Sequence, residues 1–256
     1  MLATDLKSLA ETIADSNYSG KVIKLVQELA AANSSNQVLD LLFEVAGVME
    51  ADCAAFVTYI RGDWSHENFR FVLACDPRWC FEYQKTAAYS LDPWIMYAST
   101  NTEPICASQI TGLTRAQREV HDLAIRYGMN STCVIPAPSS GALTRVGMLA
   151  IGSRQAGYFE GPGLREFSVL GRSLAMELQG WCIRRLRQEL IEERGLTSED
   201  LQLLAFERAG QGTKQIATDL GISVTAVDSR WKRLNQKLST ANRKASASMA
   251  AAYGVI

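Results

Sequence analysis

Apolar residues recur along the chain in two rhythms. KVIKLVQEL, from Lys21 to Leu29, sets Val22, Ile23, Leu25, Val26 and Leu29 at helical spacing. Ser34 or Ser35 can cap a second helix, roughly Asn36 to Met49, carrying Val38, Leu41, Leu42, Val45 and Val48. The period then changes. CAAFVTYI, from Cys53 to Ile60, is short and β-prone. Across the turn RGDWSHEN, FRFVLAC (Phe69 to Cys75) reads as its returning strand. Asp76-Pro77 and Asp92-Pro93 each open a helix, with proline near the first turn. Leu113 to Tyr127 predicts a further helix, stopped at Gly128. STCVIPAP and RVGMLAIGS are two more strands, joined by the turn Ser139 to Gly141. After the break Gly161-Pro162-Gly163, a long helix runs from Leu164 toward Glu193. Its expected apolar positions are Phe167, Leu170, Leu174, Met176 and Leu178.

Helices, hairpin, helices, hairpin and long helix in this order predict the α/β class: an antiparallel sheet with helices covering both faces. Such layers can hold a small molecule between them. The charged run IRRLRQELIEERG closes on Gly195. It divides the chain into a first domain over 1–180, a partly helical linker over 181–194 and a small all-α domain over 195–256.

In that last domain, Thr197 caps a helix through Leu201, Leu203, Leu204 and Phe206, ended by Gly210 and Gly212. Lys214 to Leu220 is a short helix closed by Gly221, and Ser223 caps a third from Val224 to Leu238. Two helices around a tight glycine turn, the second basic, predict a helix-turn-helix whose second helix enters the major groove. Ile216, Ala217, Leu220, Ile222, Val227, Leu234 and Leu238 can share a core. Thr225, Ser229, Lys232 and Gln236 recur on the opposite side. Lys232 and Ser229 are candidates for base edges, and Arg230, Arg233 and Lys237 for phosphates. With Ser223 and Thr225 they complete the candidate DNA-contacting set. A basic helix alone would be an ordinary solvated face; the glycine turn and the apolar pattern together favour DNA.

Charge sharpens this division. The chain has a formal net charge of −1. From Arg184 onward there are 12 basic and 8 acidic residues, against 14 and 19 before it. A basic tail on an acidic body points to a polyanion partner for the tail alone. Six scattered cysteines without a CxxC pair argue against a zinc or redox motif and suit a reducing cytoplasm. No stretch approaches about 18 consecutive apolar residues, so neither a membrane span nor a membrane partner is expected.

The pattern LT..D...L.....G.....IA..L.IS....V.......KL, from Leu196 to Leu238, resembles the LuxR family of bacterial transcription regulators. WCFEYQKTAAYSLDPW resembles the same family's autoinducer-binding domain, with Trp79, Tyr83, Asp92 and Pro93 at its spacing. The resemblance implies an α/β/α sandwich enclosing an acyl-homoserine lactone and no other cofactor. Trp79 would donate to the lactone carbonyl, Asp92 would accept from the amide N–H and Tyr83 would line the acyl path. It further implies a homodimer joined partly through TANRKASASMAAAYGVI as a fourth helix, an operator in duplex DNA, and RNA polymerase as a further partner.

Several positions depart from the family pattern. Cys75 stands for a Tyr, Ala107 for a Trp, Thr132 for a Gly and Ala150 for a strand Ser or Thr. Asp200, Ala226 and Arg230 replace Glu, Thr and His, and Asp228 stands where relatives are often basic. The candidate ligand-binding set is therefore Trp79, Tyr83, Asp92, Cys75, Ala107 and Ala150. Its ligand is left as an acyl-homoserine lactone, a different small molecule or none. In the last case the first domain would mainly dimerise. Trp79 and Tyr83 also suit core aromatics, and Asp92 a plain helix cap. His66 and His121 have no partner at ligand spacing and read as surface or loop residues. Ser139-Ser140-Gly141 lacks a nearby His or Asp, so no enzyme is expected.

Overall fold

The computed structural model describes residues 7–60, 68–139 and 145–256. They form two compact units, divided between Trp181 and Cys182.

In the first unit, α1 (Leu9–Ala14), α2 (Tyr18–Ala31) and α3 (Ser35–Val48) precede the strands β1 (Cys53–Ile60) and β2 (Arg70–Ala74). Asp76 accepts from Arg78 N and starts α4 (Pro77–Lys85). Asp92 accepts from Trp94 N and Ile95 N and starts α5 (Pro93–Thr100). In both, proline at the helix start removes a donor that would have had no intrahelical acceptor. A two-residue strand, β3 (Ile105–Cys106), follows, then α6 (Arg115–Arg126), β4 (Ser131–Ala137) and β5 (Arg145–Ser153). The sheet order is β2-β1-β5-β4-β3, antiparallel throughout. β3 went unpredicted because two residues show no alternation. Its shortness leaves Pro136 of β4 without a partner on that side, an edge position where a missing N–H breaks no ladder bond. Residues 61–67 and 140–144 of the predicted turns, including His66, lie outside the described residues.

One sheet face carries Ala55, Val57, Met148, Ala150 and Val134, which cluster with Trp79, Tyr83, Trp94 and Leu123 from α4, α5 and α6. α7 (Leu164–Arg194) approaches the other face. There a Cβ on Gly171 would stand 2.6 Å from Ile135 Cδ1, so glycine lets helix and strand close up. Trp181 donates to Ala32 O at 2.9 Å and ties α7 to the end of α2. Helices therefore cover both faces, as expected. Phe167, Leu174 and Leu178 are buried, each contributing about 1.5–3 kcal/mol on transfer from water. Met176 corrects the sequence reading. It is exposed, because two residues from Leu174 turn the helix by about 200°. Leu170 is half-buried.

The stretch expected to link the domains is the last part of α7. Its Leu190 belongs to the core of the second unit. That unit continues as α8 (Ser198–Arg208), α9 (Thr213–Leu220), α10 (Val224–Lys237) and α11 (Arg243–Ala252). Gly221 ends α9 at φ +64°, a left-handed conformation that glycine adopts without a Cβ clash. Leu203, Leu204, Ile216, Val227, Trp231, Leu234 and Leu238 form the core, with Leu220 and Ile222 packed at its margin.

Candidate ligand pocket and nucleic-acid interface

Between the sheet and α4–α5 lies a small, partly open cavity, with about 20 Å³ wide enough for water. Val57, Phe71, Leu73, Met148 and Ala150 form its apolar wall, and Trp79, Tyr83, Asp92 and Trp94 its polar end. A narrower cleft with no room for a water is lined by Trp79, Tyr83, Asp92 and Trp94 as well, and by Val120, His121 and Ala124 on α6.

The polar end follows from local sequence. Trp79 and Tyr83 are four apart on α4, so they share a face and stack with ring centroids 4.8 Å apart. Tyr83 OH donates to Asp92 Oδ2 at 2.6 Å. Asp92 Oδ1 accepts from Trp94 N at 2.7 Å and from Ile95 N at 3.4 Å. Asp92 is thus a helix cap and a pocket residue at once. Burial pushes its carboxyl up to about 6, against the lowering effect of those three donors. Burial, with the Asp92 charge beside it, holds the Tyr83 phenol well above its ordinary range.

The Nε1–H groups of Trp79 and Trp94, and the hydroxyl of Thr132, are buried without a hydrogen-bond partner. Each such group costs about 1–3 kcal/mol while it stays unpaired. The two indole donors lie in one apolar cluster.

The structure brings Trp79, Tyr83, Asp92 and Ala150 together at the cavity but not Cys75 or Ala107. Cys75 is buried, and its thiol donates to Ala54 O at 3.5 Å across the β1–β2 end. Ala107 is buried in the same cluster, where it opens a single 3-10 turn. Sequence reasoning missed Trp94 as a pocket residue. Trp94 follows the Asp92 cap, where the chain must turn inward, and that offered a clue. His121 corrects another expectation: it packs edge-on to Trp94 at 6.1 Å and is no free surface residue.

On α10, Thr225, Ser229, Lys232, Arg233 and Gln236 are all exposed. Ser223 accepts from Ala226 N at 3.1 Å, so its hydroxyl is engaged as the helix cap. Arg230 pairs with Glu199 at 3.2 Å. Lys237 Nζ donates to Asp200 Oδ2 at 2.6 Å and to Gly195 O at 2.9 Å. Its ammonium is committed to closing the start of α8, where Thr197 and Asp200 form a capping box, and is not held out for phosphate. The free cations of the expected set are thus Lys232 and Arg233. Asp228 is paired as well, with Arg243 Nη2 at 2.5 Å.

Among the described residues, no group of His, Cys, Asp and Glu could hold a metal ion, and no helix is long and apolar enough to cross a membrane.

Residues 34–161 match the family described as the autoinducer binding domain, and residues 194–250 the bacterial regulatory proteins of the luxR family. No curated protein sequence matches the chain. Among solved structures, Escherichia coli SdiA is similar at a TM-score of 0.70 and 18% identity, covering 93% of this chain and 99% of its own. SdiA in complex with octanoyl-rac-glycerol gives 0.69 and 17%, covering 93% and 96%. The N-acylhomoserine lactone dependent factor CepR2 of Burkholderia cenocepacia gives 0.56 and 12%, covering 67% of this chain and 99% of its own.

Proposed function

The chain belongs to the luxR family of bacterial regulatory proteins and is a ligand-sensing transcription factor rather than an enzyme; from that premise we propose that its sheet domain takes an acylated polar molecule, an N-acyl-homoserine lactone first. One observation carries the proposal: Trp79 buries an unpartnered Nε1–H at the cavity that Asp92 and Tyr83 also line. A carbonyl on the ligand would pair that donor, and the apolar wall suits an acyl chain. The protein would act in the cytoplasm as a homodimer on a roughly palindromic operator, with RNA polymerase as a further partner. Ligand would shift the population of DNA-competent states through its differential affinity for them.

Melting the purified protein with and without lactones of graded chain length tests this. A ligand at 100 times its Kd adds about 2.7 kcal/mol to stability, a clear rise in Tm. Light scattering on the same samples reads the dimer. No rise with any lactone, together with undiminished duplex binding, would overturn the ligand assignment.

Two features favour a second reading, in which the first domain mainly dimerises or answers to another headgroup. Asp92 already accepts three hydrogen bonds, and the cavity admits little more than water. An acylglycerol, the ligand class of the SdiA complex, belongs in the same melting series.

A further inference from the structure

We propose that Asp228 reads sequence by accepting a hydrogen bond from an exocyclic amino group in the major groove, cytosine N4 first, and that Arg243 of α11 holds its carboxylate in place for this. The proposal rests on α10 being the DNA-facing helix.

Asp228 lies in the N-terminal half of α10, the part of a recognition helix that meets base edges. At about 100° per residue it is about 60° around the helix from Thr225 and about 40° from Lys232, on the same exposed face. An uncompensated carboxylate there would oppose the phosphates on every sequence.

Arg243 removes that penalty. Its Nη2 meets Asp228 Oδ1 at 2.5 Å, and its Nη1 donates to Thr213 Oγ1 at 2.7 Å at the start of α9. Its guanidinium lies 5.2 Å from the centre of the buried Trp231 ring. The cation is therefore fixed by α9 and an indole as well as by the carboxylate. An exposed ion pair by itself is worth little, because two side chains must be ordered to make it. Here the guanidinium is ordered by its other two contacts.

Arg243 occupies one oxygen of a carboxylate whose side chain is 58% exposed, against 27% for Arg243. An ionised carboxylate offers about four acceptor sites, so acceptor capacity remains. Facing the groove, it matches a donor, and cytosine N4 is the donor that Asp and Glu take. The same carboxylate disfavours guanine O6 and thymine O4, which are acceptors.

Binding-site selection from randomised duplexes with the full-length protein, followed by titration of every single-pair variant of the selected site, tests this. Wild type should discriminate on the order of 10-fold at one C·G pair of each half-site. Asp228→Ala should cut that to within about 2-fold and leave the other pairs unchanged. It should also raise affinity for duplexes that lack that C·G pair and steepen the salt dependence by about one ion, because Arg243 is left uncompensated. A purely structural role predicts the reverse: weaker binding to every duplex with the same discrimination. That outcome overturns the proposal, as does an identical selected site for both proteins. Asp228→Asn, which keeps the shape and one acceptor oxygen, guards against misfolding of the alanine variant; it should retain part of the cytosine preference with the same gain in general affinity. If wild type retains no duplex at any salt concentration, the assignment of α10 itself fails, and this proposal with it.

Discussion

Around the sheet, Trp79 and Trp94 bury indole N–H groups that nothing among the described residues accepts, whereas along α10 Thr225, Ser229 and Lys232 stand in solvent. Buried donors are costly until a ligand pairs them, so they report a site that is incomplete alone. Solvated donors and charges cost little, and counterion release makes them useful only when a polyanion arrives. Trp231 warns against reading an orphan too simply. It too buries an unpartnered Nε1–H, but in the helical core among Val227 and Leu234. What marks Trp79 is a cavity shared with a buried carboxylate.

The largest expected effect tests the exposed side of this comparison. Lys232→Ala with Arg233→Ala should weaken duplex binding on the order of 10- to 100-fold at moderate salt. The slope of log K against log salt should fall by about two. Fluorescence anisotropy across a salt series reads both. A loss confined to one sequence with an unchanged slope would make them base readers and not phosphate contacts.

Asp92 tests the buried side. Its folded pKa of about 6 lies above the ordinary 3.8, so the proton favours the folded state. That contribution is fully present below 3.8 and is lost as pH rises through 6. Asp92→Asn should flatten this part of the stability profile, read by melts between pH 4 and 7. A ligand amide N–H prefers the ionised carboxylate, so lactone affinity in wild type should rise about 10-fold from pH 5 to 7. A pH-independent affinity would mean that the ligand does not donate to Asp92.

Trp79→Phe separates a ligand donor from a core aromatic. It keeps most of the ring and removes the unpaired N–H. Lost packing and relieved desolvation oppose each other, so stability without ligand should change by less than about 1 kcal/mol. Ligand affinity should fall about 5- to 10-fold by calorimetry, the worth of one hydrogen bond. Lower stability with unchanged affinity would return Trp79 to the core.

The two regions also differed in how far they could be foreseen. The helix-turn-helix is local: the Gly221 stop, the Ser223 cap and the apolar stripe of Val227, Leu234 and Leu238 all lie within one short stretch. The pocket is assembled from β1, β2, β5, α4 and α5, whose register no local pattern fixes. Trp79, Tyr83 and Asp92 could be named because WCFEYQKTAAYSLDPW resembles the autoinducer-binding domain, and Ala150 because that resemblance sets it where the family has a strand Ser or Thr. Cys75 and Ala107 were named from the same resemblance but sit beside other neighbours. The pairing of Lys237 stayed hidden for a related reason. Its charge was legible, but Asp200 lies 37 residues away in sequence, beyond any helical spacing.

Lys237 gives the smallest expected effect and the narrowest test of where one region's charges serve folding and not DNA. Its partner Asp200 has its pKa lowered, since the hydrogen bonds from Lys237 and Thr197 outweigh its partial burial. A lowered acid pKa contributes stability above 3.8 that is lost as pH falls through the folded value. Lys237→Ala should therefore cost about 1 kcal/mol at neutral pH and progressively less as acid protonates Asp200. Denaturant melts at pH 7 and pH 3 read the difference. At a temperature where the variant is folded, its duplex affinity should stay within about 2-fold of wild type, with an unchanged salt slope. A slope lower by one would show that the ammonium leaves Asp200 for a phosphate when DNA binds, and would return Lys237 to the set of contacts on α10.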